Sequence, residues 1–324
     1  MQEVRRERRD PLVSIVIPVY NKASVISQTL DSALAQSYRN LELVLINDGS
    51  TDGSLKILEE YARKYPLKVR LMDSMNKGVS AASNLGFQTS SGEYIQFLDA
   101  DDLLSVDKIE EQMKILSEKD TQVITSCEWV NFREDIRQAT TVPYGVFQDF
   151  DSGLDLLLRF WDHQEMMAIS SYLTPRELIE KAGPWDESLK INQDGEFFTR
   201  VLLHADQVLY ETKGKVYYRT PGETNVSQQK GYKAMSSLLE SYQAYERAVL
   251  PVEDSSRVRI ALKKVYQKFI YDVFPLYPDL IDKAEKLIQN LGVNELTYIG
   301  GPKFQQLSRI IGFKNALRLK RFLG

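Results

Sequence analysis

Three carboxylates stand within four positions, at Asp99, Asp101 and Asp102, directly after the apolar run YIQFL. Carboxylates this close repel one another, which is costly unless a cation lies among them. Mg²⁺ or Mn²⁺ is commonly shared between one or two carboxylates and the phosphates of a substrate. The cluster therefore predicts metal and phosphate binding. A helix N-cap would explain Asp102 but not the other two.

An earlier apolar run, LVSIVI, ends in Pro18, Val19, Tyr20 and Asn21. Proline interrupts the hydrogen bonding of a strand and leaves an aromatic ring and an amide at its tip. The flat ring of Tyr20 could stack on a nucleobase. The alternative is an ordinary turn between a strand and a helix.

A third polar segment follows the run LVLIN and begins with Asp48. The next residues, Ser50, Thr51 and Asp52, are ordinary turn formers and helix caps. Asp48 itself could accept a hydrogen bond from the N–H of a nucleobase. A plain turn explains it equally well.

The segment from Asn76, Lys77 and Gly78 to Gly86 combines amides, glycine and small residues at a predicted helix start. A helix start presents unbonded N–H groups and the positive end of a dipole, which suit a phosphate or ribose. Small residues also allow a helix to pack closely on a sheet. Both explanations can hold together.

These segments must be positioned by a common framework. Short β-branched runs alternate with amphipathic stretches, a pattern typical of a mostly parallel sheet flanked by helices. In such sheets ligands bind beyond the carboxyl ends of the strands, where the polar segments occur. The predicted strands are Leu12–Val19, Leu41–Ile46, Leu67–Met72 and Glu93–Leu98.

Beyond this alternation the pattern changes twice. Residues 105–228 are punctuated by proline and glycine, with a helical stretch near Asp194–His204, and residues 229–324 are predicted to be all helical. We predict a charged tail at 1–10, a catalytic domain at 11–228 divided at residue 104, and a helical C-terminal region. Its helices are predicted at Tyr232–Val249, Ser255–Val273, Pro278–Leu291 and in a final basic stretch.

Composition excludes several classes of protein. The net charge of −4 argues against general nucleic-acid binding, which needs a basic surface. Cys127 is the single cysteine, and the two histidines, His163 and His204, offer no zinc-ligand spacing. The composition predicts an ordinary globular protein with cytosolic chemistry.

The start, MQEVRRERRD, is charged, and no stretch approaches ~18 continuous apolar residues, so we expect neither a secretory signal nor a membrane span. The segment Phe304–Gly324 interleaves basic and apolar residues and contains no acidic one. Such a helix can lie on an anionic membrane surface, or it can pack its apolar face on the protein. We expect a cytoplasmic protein with peripheral membrane contact through this segment.

The four junctions, in this order and spacing, resemble family 2 glycosyltransferases with the GT-A fold. The resemblance runs through SIVIPVYN, LVLINDGSTDGS, NKGVSAASNLG and YIQFLDADD and covers about residues 12–227. It implies an α/β fold with a mostly parallel central sheet, a Rossmann-like nucleotide-binding half and a helical C-terminal extension.

The resemblance also implies site residues. Tyr20 would lie against the nucleobase and Asp48 would bond it, while Asp99 would face the ribose. Asp101, together with Asp99, would bind Mg²⁺ or Mn²⁺ bridging the diphosphate, and Asp194 would be the catalytic base. The full set for the nucleotide-sugar is Pro18, Val19, Tyr20, Asn21, Asp48, Asn76, Lys77, Gly78, Asn84, Asp99, Ala100, Asp101 and Arg219.

Two positions depart from the family pattern. Ser83 stands where an arginine often precedes the asparagine matching Asn84, so a charge contact to the donor is lost or is supplied by Lys77. Gln193 replaces the usual glutamate before Asp194. Considered without the family, Asp194 is explained by a helix N-cap, with Glu196 in the first turn favoured by the dipole.

Other matches lie downstream. Tyr217 to Thr220 and Asn225 to Ser227 resemble the strand and loop that can close over the donor diphosphate. Arg219 is a candidate phosphate contact, although a surface salt bridge explains it equally well.

The implied activity is inverting transfer of a sugar from a nucleoside diphosphate, uridine by default, to a hydroxyl of a glycan or lipid-linked acceptor in cell-surface polysaccharide, lipopolysaccharide or glycolipid synthesis. The alternatives are a non-catalytic nucleotide-sugar-binding partner and a sugar nucleotidyltransferase. The sequence leaves the sugar, the acceptor and the oligomeric state open.

Overall fold

The computed structural model describes residues 10–119, 122–141, 143–220 and 229–323. Almost all of the predicted tail at 1–10 and the segment Asn225–Ser227 therefore lie outside the described residues. The chain divides into two compact units. The first contains the chain up to Gly153 together with Met167–Glu187 and His204–Thr220. The second contains Leu154–Met166, Ser188–Leu203 and the C-terminal helices.

The strands of the described residues, in chain order, are β1 (Val13–Val19), β2 (Leu41–Asp48), β3 (Val69–Ser74), β4 (Tyr94–Phe97), β5 (Leu103–Leu104), β6 (Val123–Phe132), β7 (Thr140–Thr141), β8 (Thr174–Pro175) and β9 (Gln207–Arg219). The helices are α1 (Ile26–Leu34), α2 (Ser54–Lys64), α3 (Val79–Thr89), α4 (Lys108–Leu116), α5 (Gly153–His163), α6 (Arg176–Ala182), α7 (Gln193–Leu202), α8 (Tyr232–Val249), α9 (Ser256–Val273), α10 (Pro278–Asn290), α11 (Pro302–Ile311) and α12 (Phe313–Leu323).

The first unit contains a sheet in the order β3-β2-β1-β4-β8, parallel except for β8. Its central strands β1 and β2 are almost entirely buried and rich in valine, isoleucine and leucine, as expected for a sheet covered on both faces. The chain builds outward from β1 to β3 and then returns to β4 on the other side of β1. The crevice where a ligand binds such a sheet is therefore expected between the tips of β1 and β4.

Helix α3 packs closely on this sheet. A Cβ atom added at Gly86 would lie 2.4 Å from Cγ1 of Val16 in β1, so a larger residue would push the helix away. The small residues of this segment are therefore needed for close packing.

The second sheet has the order β5-β9-β6-β7, and its two long strands, β6 and β9, run parallel. Strand β9 ends at Arg219. One short segment joins the two sheets: Leu173 exchanges two backbone hydrogen bonds with Thr125 of β6, and the next residue, Thr174, pairs with Ile95 of β4.

The second unit is helical. The ring of Trp161 stacks on that of Tyr245 at 5.5 Å, and Lys264 forms an ion pair with Asp162. These contacts tie Leu154–Met166 to the C-terminal helices within the second unit.

The predicted helix Tyr232–Val249 is confirmed residue for residue. The prediction of one continuous helix over the final basic stretch is wrong. Gly312 adopts a left-handed backbone (φ 79°) and separates α11 from α12. Within the described ranges, no helix is both long enough and apolar enough to cross a bilayer.

Candidate active site

The tips of β1 and β2 are joined by Asn21. This residue has a left-handed backbone (φ 51°), its N–H donates to Oγ of Ser50 (3.1 Å), and its Oδ1 accepts from the N–H of Thr51 (2.8 Å). Pro18 and Val19 lie inside β1, and the side chain of Tyr20 remains 48% exposed beside this junction. An exposed ring fixed at a strand tip can stack on a planar ligand.

Asp48 is the last residue of β2 and is only 3% exposed. Its Oδ1 accepts from the N–H of Lys77 (2.8 Å) and its Oδ2 from the N–H of Gly78 (2.9 Å). The carboxylate therefore holds the loop Asn76–Gly78 in place at the start of α3. A base contact by Asp48, which stays a prediction, would use its remaining lone pairs.

Asn84, in α3, bonds to a segment that follows α6. Its Oδ1 accepts from the N–H of Trp185 (2.8 Å), and its Nδ2 donates to the carbonyl of Trp185 (3.1 Å) and to Glu187 (2.9 Å). A donor contact by Asn84 would have to replace one of these bonds. The ring of Trp185 in turn packs edge-on against Phe97 of β4.

The carboxylate cluster lies at the tip of β4, across the crevice from β1. The carbonyl of Ala100 accepts from the hydroxyl of Thr29 (3.0 Å), which fixes the loop. The carboxylate of Asp101 forms an ion pair with Nζ of Lys22 at 2.5 Å. Lys22 follows the β1 tip, so this pair spans the crevice where the strand order reverses.

Asp102 points away from the crevice and is buried. Its carboxylate accepts from the N–H of Arg219 (2.9 Å) and the hydroxyl of Ser170 (3.2 Å). Burial, together with the charges of Asp99 and Asp101, raises the pKa of Asp102 well above its usual range. The repulsion expected from the sequence is thus relieved by Lys22 at Asp101 and by the raised pKa of Asp102, which favours the neutral form of that carboxyl.

Arg219 stabilises the same loop. Its Nε donates to the carbonyl of Asp101 (2.9 Å) and its Nη2 to Gln28 (2.8 Å), and its guanidinium lies 4.4 Å from the ring centre of Phe132. A phosphate contact by Arg219 stays a prediction. The described contacts of Arg219 give this residue a structural role beneath the carboxylate cluster.

The residues present fit a divalent cation. In the part of the chain that the structure describes, no three or more His, Cys, Asp or Glu side chains are grouped to hold a metal by themselves. Asp99 and Asp101 nevertheless supply the one or two carboxylates that Mg²⁺ needs when a diphosphate completes its ligands. The ammonium of Lys22 pairs with the Asp101 carboxylate, so a metal ion at Asp101 would have to displace it.

Asp194 lies in the first turn of α7, in the second unit. Its side chain is exposed to solvent, and neighbouring protein atoms displace part of the water around it. This partial desolvation raises the pKa of Asp194, against backbone hydrogen bonds from Gly195 and Asp194 itself that lower it. Glu196, by contrast, is buried in a bidentate ion pair with Arg200, which argues against it as the base.

The structure thus brings together Tyr20, Asn21, Asp48 and the loop Asn76–Gly78 at one side of the crevice, and Asp99–Asp101 with Arg219 at the other. Sequence reasoning missed two polar contributors. Lys22 could have been found, because it directly follows the β1 tip. Ser170 could not, because it reaches the cluster from a distant 3₁₀ turn, Ile169–Ser171.

Solved structures confirm the fold. Residues 1–349 of Staphylococcus aureus TarS, determined in complex with UDP-GlcNAc, match with a TM-score of 0.62 at 16% identity, over 96% of this chain and 91% of that one. The alignment covers both the central sheet and the C-terminal helices.

Sequence comparisons identify the family. The model for glycosyl transferase family 2 matches residues 14–166. An uncharacterized glycosyltransferase of Rickettsia typhi is 33% identical over 246 residues, covering 72% of this chain and 73% of that protein. Streptococcus pneumoniae GlyA is 26% identical over 65% of this chain, which spans only 31% of GlyA. This chain, with its strand tips and carboxylate cluster in the expected order, belongs to glycosyltransferase family 2 and has the GT-A fold.

Proposed function

We propose that this glycosyltransferase inverts the anomeric carbon of a nucleoside diphosphate sugar, depends on Mg²⁺ or Mn²⁺, and uses Asp194 as its base. The observation that carries the proposal is the pairing of Asp101 with Lys22 at the sheet's switch point. A carboxylate that holds a cation beside an exposed ring is suited to a metal-bound diphosphate attached to a planar base.

Uridine is the proposed nucleoside, and UDP-N-acetylglucosamine is the first donor to try, because TarS was crystallised with it. Tyr20 is 48% exposed and available to stack on the base. Asp48 and the loop that it holds would border the base and ribose.

Transfer requires a better leaving group and a better nucleophile. A divalent cation held by Asp99 and Asp101 would neutralise the charge that develops on the departing diphosphate. Asp194 would accept the proton of the acceptor hydroxyl as that oxygen attacks the anomeric carbon from the opposite face. Its raised pKa suits a base, since a more basic carboxylate takes the proton more readily.

The acceptor is proposed to be a glycan or a lipid-linked sugar, reached at the cytoplasmic membrane surface. Helices α11 and α12 support this. Ile310 and Phe322 are 81% and 87% exposed, among the exposed cations Arg309, Arg318 and Arg321. Apolar side chains surrounded by basic ones can insert into an anionic membrane surface.

A thermal-shift screen tests the donor and the metal together. We expect UDP-N-acetylglucosamine or another UDP-sugar to raise the melting temperature in the presence of Mn²⁺ and to do so much less with EDTA, because a ligand that binds the folded state stabilises it. Equal shifts with Mn²⁺ and with EDTA would contradict metal dependence. If only sugars of another nucleoside diphosphate raised the melting temperature, that nucleoside would replace uridine in the proposal.

The two competing functions give different results. A non-catalytic partner would bind the nucleotide sugar without cleaving it. No free nucleoside diphosphate would then form, even with excess acceptor extract. A nucleotidyltransferase would release pyrophosphate from a nucleoside triphosphate. Assaying the released nucleotide and pyrophosphate separates all three.

A further inference from the structure

The start of α7 is fixed by a strained residue. Asn192, which precedes the helix, has a left-handed backbone (φ 60°, ψ 29°). This conformation is uncommon outside glycine, although asparagine tolerates it best, and it persists where the surroundings enforce it. Because Asn192 lies two residues before Asp194, whatever holds Asn192 also sets the direction of the Asp194 side chain.

Two hydroxyls on α8 hold Asn192. Its Nδ2 donates to Oγ of Ser241 (2.8 Å) and to the hydroxyl oxygen of Tyr245 (2.6 Å). Ser241 and Tyr245 are four residues apart and therefore lie on the same face of α8. Both hydrogens of the Asn192 amide are used, so the side chain is anchored at two points.

The same tyrosine contacts the residue after Asp194. A Cβ atom at Gly195 would lie 2.2 Å from the Tyr245 hydroxyl and 2.5 Å from Oδ1 of Asn192, so only glycine fits. The ring of Tyr245 cannot yield easily, because it is 6% exposed and stacked on Trp161. One hydroxyl thus contacts the chain on both sides of Asp194.

The electrostatics agree with this arrangement. Burial raises the pKa of Tyr245 well above its usual range, and the nearby charges of Asp194 and Glu196 raise it further. The tyrosine therefore remains a neutral hydroxyl that can accept the Asn192 hydrogen bond at any physiological pH.

We propose that Tyr245 and Ser241 are positioning residues, which aim the Asp194 carboxylate by fixing Asn192 and the first turn of α7. This inference rests on Asp194 as the base of the proposed function. It gives the C-terminal helices, which lie beyond the region matched by the family model, a direct part in the reaction.

The test compares Tyr245→Phe with Tyr242→Phe in the full chain. Tyr242 lies on the same helix and its ring is 5.5 Å from that of Tyr245, but its hydroxyl makes no bond to Asn192. We expect hydrogen–deuterium exchange at Gln193–Glu196 to become several-fold faster in Tyr245→Phe and to stay unchanged in Tyr242→Phe. Ser241→Ala, which removes the other acceptor, is expected to change exchange in the same direction.

Turnover gives the second measurement, with UDP release from UDP-N-acetylglucosamine as the probe. A small displacement of a catalytic group can cost about a hundredfold in rate, so we expect kcat to fall about tenfold or more in Tyr245→Phe. KM for the donor and the melting temperature are expected to match those of Tyr242→Phe.

Unchanged exchange at α7 in Tyr245→Phe would overturn the inference whatever the donor, and so would faster exchange with unchanged kcat. Failure of the proposed function looks different. In that case Asp194→Asn itself keeps wild-type turnover, whereas a loss in Asp194→Asn with a normal Tyr245→Phe enzyme removes only the positioning role.

Discussion

At the scale of single residues, the carboxylates around the crevice have different partners. Lys22 pairs with Asp101, and backbone N–H groups satisfy Asp48. Asp102 is shielded beneath the loop by Ser170 and the backbone of Arg219. Each carboxylate at the strand tips thus has a different environment, and each is expected to respond differently to substitution.

Asp101→Ala and Lys22→Met test whether a metal ion and the ammonium of Lys22 compete for the Asp101 carboxylate. Asp101→Ala removes a proposed metal ligand, so we expect Mn²⁺-dependent binding of UDP to be lost. Lys22→Met removes the competing ammonium, so we expect Mn²⁺ alone to bind more tightly than to the wild type. Isothermal titration calorimetry measures UDP binding, and electron paramagnetic resonance of free Mn²⁺ measures metal binding. Lys119→Met, at an exposed lysine after α4, is the control. Identical Mn²⁺ binding by Lys22→Met and wild type would show that the pair does not compete with the metal.

Asp194→Asn tests the base. A general base acts mainly on the transition state, so we expect kcat to fall by ~10²–10⁴ while donor affinity and melting temperature stay close to wild type. The N-cap of α7 is Asn192 and not Asp194, so the helix-cap alternative for Asp194 is wrong. A purely structural Asp194 would only favour the helix dipole from the first turn, and its loss predicts normal turnover. Wild-type kcat in this variant would contradict the assignment.

The pH dependence of kcat provides a further check on Asp194. Because partial desolvation raises the pKa of Asp194, the carboxylate takes up a proton at a higher pH than an ordinary aspartate. We therefore expect wild-type kcat to decline as the pH falls through that raised pKa. A profile that stays flat down to the usual range of aspartate would argue against this environment.

At the scale of elements, the C-terminal helices combine both roles that the sequence left open. Phe304, Ala316 and Leu317 are buried, and Lys320 lies 3.8 Å from the ring centre of Tyr271 in α9. The inner face of α11 and α12 therefore packs on the protein. The outer face retains exposed apolar and basic side chains.

Because only the outer face of α11 and α12 is exposed, membrane binding is best tested by substitutions on that face. Truncation of the helices would also expose the apolar surface on which their inner face packs. We expect Ile310→Ser combined with Phe322→Ser to reduce sedimentation with phosphatidylglycerol vesicles while leaving the melting temperature near wild type, because both side chains are more than 80% exposed. Leu296→Ser, at an equally exposed position outside these helices, is the matched control. Equal vesicle binding by all three proteins would make the helices purely structural.

At the scale of the whole molecule, one buried charge influences stability. Lys108 is fully buried at the start of α4, and its Nζ donates to Gln112 (2.8 Å) and to Gln96. Burial lowers its pKa to about 8, against nearby Cys127 and Glu211, which raise it. At neutral pH the folded protein therefore keeps a buried ammonium whose described hydrogen bonds go to two side-chain amides.

The sign of its pH dependence follows from the two pKa values. Between pH 8 and 10.5 the unfolded chain binds more protons at Lys108 than the folded one, so its contribution to the free energy of unfolding rises with pH. We expect wild type to gain about 3 kcal/mol relative to Lys108→Met across this range, from about 1.36 kcal/mol per pKa unit. Urea denaturation at several pH values measures it, and a constant difference between the two proteins would contradict the lowered pKa.

The polar strand tips and the parallel sheet could be predicted from the sequence because both depend on local patterns. The ends of the strands follow less closely from local patterns: β2 continues past the predicted Ile46 to Asp48, which pairs with Ser74 of β3. Contacts distant in the chain could not be predicted, such as Ser170 beneath Asp102 or Tyr245 beside Asn192. They depend on how elements pack, which leaves no periodic signal in either segment.

The segment Leu173–Pro175 that joins the two sheets also protects the molecule from other chains. A parallel sheet ending at β4 would leave a row of unpaired N–H and C=O groups, open to strand addition by a second protein. Strand β8 pairs with the first two residues of that row, Tyr94 and Ile95, and it is only two residues long and ends in Pro175, which has no N–H to offer. The amino-terminal half of β4 is thereby closed to intermolecular β-pairing by a strand too short to pair with another chain, which favours a chain that stays unaggregated.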